Sequence, residues 1–122
     1  MAVTKVLVCD DSITDLTNIK QIVETAGCMT VTASSGAEAL DKAKSEKPDL
    51  IFLDIIMPEM DGYEVCAEIK KDDRLSEIAI LMLTAVADHV TSTRYSHFDG
   101  MSMEADDYLP KPASAEEITD SL

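Results

Sequence analysis

Five residues of this chain could do chemistry, and each stands at the end of a short apolar run. Val6-Leu7-Val8-Cys9 stops at Asp10 and Asp11, Leu50-Ile51-Phe52-Leu53 stops at Asp54, Ile78 to Leu83 stops at Thr84, and Tyr108-Leu109 is soon followed by Lys111. Singly, an acid after a strand is most often a helix cap or turn residue, and a loop lysine is most often solvated. As a set they suggest more. Two neighbouring acids and a third about 5 Å away repel by roughly 3 kcal/mol per pair at an effective dielectric near 20, unless a divalent cation sits among them. Three hard carboxylate oxygens suit Mg²⁺ better than Zn²⁺. Phosphoryl transfer needs a carboxylate nucleophile, a metal to neutralise developing charge, and a cation and a hydroxyl for the remaining oxygens. Asp54 is the candidate nucleophile, Lys111 the cation and Thr84 the hydroxyl, with the small Ala85 leaving room beside Thr84.

These residues must be positioned by the elements around them, and apolar runs alternate with helical patterns five times. Leu16, Ile19, Ile22, Val23 and Ala26 recur at helical spacing within 13–26, and Gly27 follows as a stop. Met29 to Ala33 alternates apolar and polar, as a strand with a more exposed face does. Ser35-Gly36-Ala37-Glu38 has the capping-box pattern and opens a helix carrying Ala39, Leu40 and Ala43. Asp61-Gly62-Tyr63-Glu64 opens another, with Val65 and Ile69 facing inward. A weakly patterned helix is expected over 88–98, holding His89 and His97, and a last one after Ser114. Alternating strands and helices imply parallel strands with right-handed crossovers, helices on both faces, and ligands beyond the carboxyl ends of the strands. All five candidate residues lie at those ends.

The whole sequence sets limits on these readings. Its 122 residues suit a single domain over 1–122, with enough apolar residues for a core. A formal charge of −14 repels nucleic-acid phosphates, so no direct nucleic-acid binding is expected. Cys9, Cys28 and Cys66 lack CxxC spacing and read as reduced thiols of a cytoplasmic protein. The apolar start is too short for a signal peptide, and no stretch reaches the roughly 20 residues of a membrane span. A calcium loop at Asp10–Asp15 fails for want of its central glycine and distal glutamate.

Val-Leu-Val-Cys-Asp-Asp-Ser at 6–12, Leu-Asp-Ile-Ile-Met-Pro-Glu-Met-Asp-Gly at 53–62, Leu-Thr-Ala at 83–85 and Ala-Asp-Asp-Tyr-Leu-Pro-Lys-Pro at 105–112 resemble the CheY-like receiver domain of two-component response regulators. The resemblance covers the whole chain in order. It implies a flavodoxin-like α/β fold, doubly wound, with a five-stranded parallel sheet in order 2-1-3-4-5 and five helices. It implies that Asp54 takes a phosphoryl group from a phosphohistidine on a histidine kinase or phosphotransfer protein. Asp11, Asp54 and the backbone carbonyl of Ile56 would ligate Mg²⁺, with Asp10 acting mostly through water. Lys111 would pair with the phosphate, and Thr84 and Tyr108 would move together as a switch. The face formed by the helix near 88–98, the last strand and the final helix would then change its affinity for an output partner, which the sequence does not identify.

The chain also departs from the family pattern. Thr84 and Lys111 lie 27 positions apart, about five more than the family leads one to expect, and the extra residues border the output surface, so partner choice cannot be carried over. Ile56 and Val86, at positions that tune dephosphorylation in the family, are both apolar, which implies a longer-lived phosphorylated state. Two other readings compete. A haloacid-dehalogenase-like phosphatase needs a second acid two positions after its nucleophile, where Asp10 has Ser12 and Asp54 has Ile56. A receiver-like interaction module that is never phosphorylated would be free to lose the acids, Thr84 and Lys111, all of which are present.

Overall fold

The computed structural model describes residues 4–55, 60–84, 107–110, 115–120 and 122. The elements follow the order β1 (Lys5–Cys9), α1 (Ile13–Thr25), β2 (Met29–Ala33), α2 (Gly36–Glu46), β3 (Leu50–Asp54), α3 (Gly62–Lys71), β4 (Ala79–Thr84), β5 (Asp107–Pro110) and α4 (Ala115–Asp120). The strands form one parallel sheet in the order β2-β1-β3-β4-β5, as expected. The helix expected over 88–98 lies outside the described residues.

The all-apolar runs have a simple cause: the central strands are covered on both faces. Side chains alternate across a strand, so each run divides between two cores. Leu7 and Cys9, Ile51 and Leu53, and Ile80 and Met82 join Ala39, Ala43, Val65, Cys66 and Ile69 from α2 and α3. Val6 and Val8, Leu50 and Phe52, and Leu81 and Leu83 join Ile19 and Val23 of α1 and Ile118 of α4 on the other face. Full burial of such a side chain contributes about 1.5–3 kcal/mol, so both helical layers are tied to the same three strands. β2 is an edge strand, and its alternating sequence matches a gradient from exposed Met29 to buried Ala33.

Local signals set the helix ends. Ser12 caps α1, its hydroxyl accepting from the Asp15 N–H, and Asp61 caps α3 by accepting from the Glu64 N–H at 3.0 Å. α1 runs to Thr25 with Ala26 as its C-cap, whose N–H still donates to the Ile22 carbonyl, and Gly27 stops it as expected by turning the chain with φ +96°. The box at α2 is displaced by one residue. Ser35 Oγ accepts from the Glu38 N–H at 3.2 Å, but Glu38 reaches past Ser35 to the Ser34 N–H at 2.9 Å and the Ser34 hydroxyl at 3.1 Å. Among the described residues no helix is long and apolar enough to cross a membrane.

Candidate functional site

The strand register brings the acids together. Cys9 pairs with Leu53 across β1 and β3, so Asp10 and Asp54 are the next residues on adjacent strands. The backbone fixes both positions: the Asp10 N–H donates to the Ala33 carbonyl at 3.1 Å, and the Ile55 N–H to the Leu83 carbonyl at 3.1 Å. Asp54 belongs to β3 itself, facing Leu83 of β4 in register. Asp10 is fully buried, Asp54 is 4% exposed, and Asp11 faces solvent.

One carboxylate oxygen from each of Asp10, Asp11 and Asp54 lies within 4.8 Å of the others. Three anionic oxygens at that separation, two of them taken from water, form a donor set for a hard divalent cation. Asp10 also has the turn role that a lone acid would have, since its Oδ1 accepts from the Ser12 N–H at 2.9 Å. The Asp10-Asp11-Ser12 turn therefore aims one acid, exposes the next and starts α1. Cys9 adds no soft ligand. Burial first, and then the charges of Asp10 and Asp54, push its thiol up to about 12, and its Sγ donates to the Ser35 carbonyl at 3.4 Å.

Beyond the acids, the backbone places Thr84 at the last position of β4, in register with Pro110 of β5, so that Lys111 is the next residue along the chain. The Thr84 and Tyr108 side chains, and Ile56, Ala85, Val86 and Lys111, lie outside the described residues. Asp61 is a buried acid that the sequence marked only as a helix start, and its carboxylate caps α3. Gly62 follows it against the end of β3: a β-carbon there would stand 2.5 Å from the Asp54 carbonyl oxygen and 2.8 Å from Ile55 Cα. The Gly62 N–H donates to the Ile55 carbonyl at 2.7 Å, so only glycine allows this return past the acid. The Asp-Gly pair signalled a helix start, but not what that start presses against.

Known proteins with this arrangement point in one direction. The family model described as Response regulator receiver domain matches residues 6–122. The chain is 40% identical over 114 residues to the alkaline phosphatase synthesis transcriptional regulatory protein PhoP of Bacillus subtilis, covering 93% of this chain and 45% of that protein. It is 36% identical over 121 residues to protein PilG of Pseudomonas aeruginosa, covering 97% and 84%. The chain thus spans less than half of PhoP but most of PilG. The solved chemotaxis protein CheY4 of Vibrio cholerae superposes with a TM-score of 0.85 at 32% identity, covering 98% of this chain and 96% of that one. The parallel sheet with three acids at one rim, the family match over 6–122 and these relatives agree: the chain belongs to the response regulator receiver domain family.

Proposed function

We propose that residues 1–122 form a single receiver domain in which Asp54 accepts a phosphoryl group from the phosphohistidine of a histidine kinase or phosphotransfer protein. Receiver domains belong to two-component signalling and are not turnover enzymes. The observation that carries the reading is the approach of the Asp10, Asp11 and Asp54 carboxylates to within 4.8 Å at the carboxyl rim of the sheet. In the reaction an Asp54 carboxylate oxygen forms a bond to phosphorus as the P–N bond to the donor imidazole breaks. The imidazole nitrogen keeps that electron pair and takes a proton.

The residues present fit Mg²⁺, which Asp11, Asp54 and the Ile56 carbonyl would hold directly and Asp10 mostly through water. When bound, the ion neutralises charge that develops on the phosphoryl oxygens. The chain supplies the rest. Strand β3 holds Asp54 in place through the Ile55 N–H, and the Ser12 N–H orients Asp10. Thr84 would donate its hydroxyl to the phosphoryl group and Lys111 would pair with it. The Thr84–Pro110 register supports both roles, because it ends two neighbouring strands at the same level. The added charge of about −2 would favour the conformer with Thr84 drawn in and Tyr108 turned inward, changing the affinity of the output face for a partner protein. The apolar Ile56 and Val86 leave an attacking water poorly held, which makes the phosphorylated state long-lived.

The net charge of −14 supports a protein partner over direct contact with nucleic acid or an anionic membrane. The three cysteines, two of them buried and none in a CxxC spacing, fit a cytoplasmic site of action. Intact-mass measurement after incubation with acetyl phosphate tests the reading. The expected result is a gain of one phosphate that requires Mg²⁺, fails with a chelator and is removed by hydroxylamine. No gain at saturating Mg²⁺ would leave the acids without the proposed role.

A further inference from the structure

Gly36, the first residue of α2, is buried and would be a poor choice for a helix on propensity alone. Space explains it. A β-carbon at this position would lie 2.8 Å from the Met60 carbonyl oxygen, 2.9 Å from Met60 Cβ and 2.9 Å from Val65 Cγ2. All three obstacles belong to α3 or its approach, and one of them, the Met60 carbonyl, is backbone, which has no rotamer with which to yield. Two residues after Met60, Gly62 makes the corresponding close approach to the Asp54 carbonyl. The two helix-opening glycines therefore act in series: Gly36 lets α2 press on the chain at Met60, and Gly62 lets that chain lie against Asp54.

The base of α2 is itself fixed to the acid site from the other side. The Asp10 N–H donates to the Ala33 carbonyl, and Cys9 Sγ donates to the Ser35 carbonyl. The segment 33–36 is thus held to the end of β1 at one edge and packed on Met60 at the other. It spans the gap between the strand that carries Asp10 and the return of the chain past Asp54.

We propose that Gly36 is a positioning residue for the phosphoacceptor, setting through Met60 and Gly62 where the Asp54 backbone stands relative to Asp10. The inference rests on the phosphoacceptor reading of Asp54. A β-carbon at 36 displaces Met60 by a few tenths of an ångström and transmits that shift to Asp54. In-line transfer tolerates misplacement poorly, so Gly36→Ala slows phosphoryl uptake from acetyl phosphate roughly tenfold. The structural readout is the backbone amide resonances of Asp54 and Ile55, recorded without phosphate donor. Val23→Ala serves as the control, since it removes core packing on the opposite face of the sheet.

The expected result is that Gly36→Ala moves the Asp54 and Ile55 amides, weakens Mg²⁺ binding by calorimetry and slows uptake, while Val23→Ala lowers thermal stability and leaves these three near wild type. Unmoved amides, or equal shifts in both variants, would overturn the role of Gly36. Should Gly36→Ala fail to fold, Met60→Gly opens the same contact from the other side and must move the same two amides; if it does not, the proposal falls. A wild type that takes no phosphoryl group would end the phosphoacceptor reading, and the amide shifts would still decide whether Gly36 positions Asp54.

Discussion

At the amino-terminal rim of the sheet, a single carboxylate just ahead of β3 is surrounded by donors. Asp49 Oδ2 accepts from the Thr4 N–H at 3.0 Å, the Thr4 hydroxyl at 2.8 Å and the Lys5 N–H at 3.0 Å. Lys5 in turn pairs with Glu46 at 3.2 Å. At the carboxyl-terminal rim of the same strands, three carboxylates face one another within 4.8 Å. Both rims are built from aspartates beside short strands, and only one is arranged as a stable fold would arrange it for its own sake. The backbone N–H of Lys5, then that of Thr4, then the Thr4 hydroxyl hold the Asp49 carboxyl below its ordinary range. The other rim concentrates like charge in partial burial, an arrangement that a bound divalent cation would offset.

The largest expected effect separates the rims by activity. Asp54→Asn should reduce phosphoryl uptake by at least about a thousandfold, because the amide removes the nucleophile. Asp49→Asn should leave uptake within about twofold of wild type. Comparable losses in the two variants would erase the distinction.

Metal dependence sharpens it. Mg²⁺ at about 100 times its dissociation constant should stabilise the wild type by about 2.7 kcal/mol, read as a rise in the thermal midpoint. Asp49→Ala should keep that rise. Asp54→Asn and Asp11→Asn should lose most of it, and with a chelator present Asp11→Asn should be the more stable chain by roughly 1 kcal/mol, since the screened repulsion is relieved.

How much of this contrast was legible in the sequence depends on how local the cause is. The strands were legible because burial on both faces leaves no polar residue in Val6–Cys9 or Leu50–Leu53. The acids were legible because parallel strands must end at one rim, so Asp10 and Asp54 converge without any long-range information. The helix starts at Ser35 and Asp61 were legible from their capping residues. Contacts between segments distant in sequence were not. Nothing near Gly36 reports that the Met60 carbonyl lies 2.8 Å from where its β-carbon would be, and nothing near Asp61 reports its burial. The end of α1 was legible in the same local way as the helix starts: Ala26 keeps the helical bond to the Ile22 carbonyl, and Gly27 stops the helix at positive φ.

Backbone crowding gives the next smaller effect. Gly62→Ala should cost roughly 2 kcal/mol in denaturant unfolding, because its β-carbon meets the Asp54 carbonyl and Ile55 Cα rather than a movable side chain. Among the described glycines the one near the amino-terminal rim, Gly27, makes no such approach, with nothing within 4 Å of where its β-carbon would stand.

The smallest effect belongs to Asp49 and carries a sign. Asp49→Ala should cost about 1 kcal/mol at neutral pH, discounted for an exposed carboxylate. A depressed folded-state pKa contributes stability above the ordinary aspartate value, and that contribution fades as pH falls through the lower folded value. The gap between wild type and Asp49→Ala should therefore be full at pH 5 and above and shrink below about pH 4. A gap independent of pH would mean that Asp49 acts by packing alone.

The most direct measurement of the central claim is the address of the phosphoryl group. Borohydride reduction of the chain after acetyl phosphate and Mg²⁺ treatment, followed by peptide mapping, converts an aspartyl phosphate to homoserine and so marks its position. Homoserine is expected at position 54 and at no other aspartate. Label at position 10, 11 or 49, or on no residue of a chain that has gained phosphate, would contradict it.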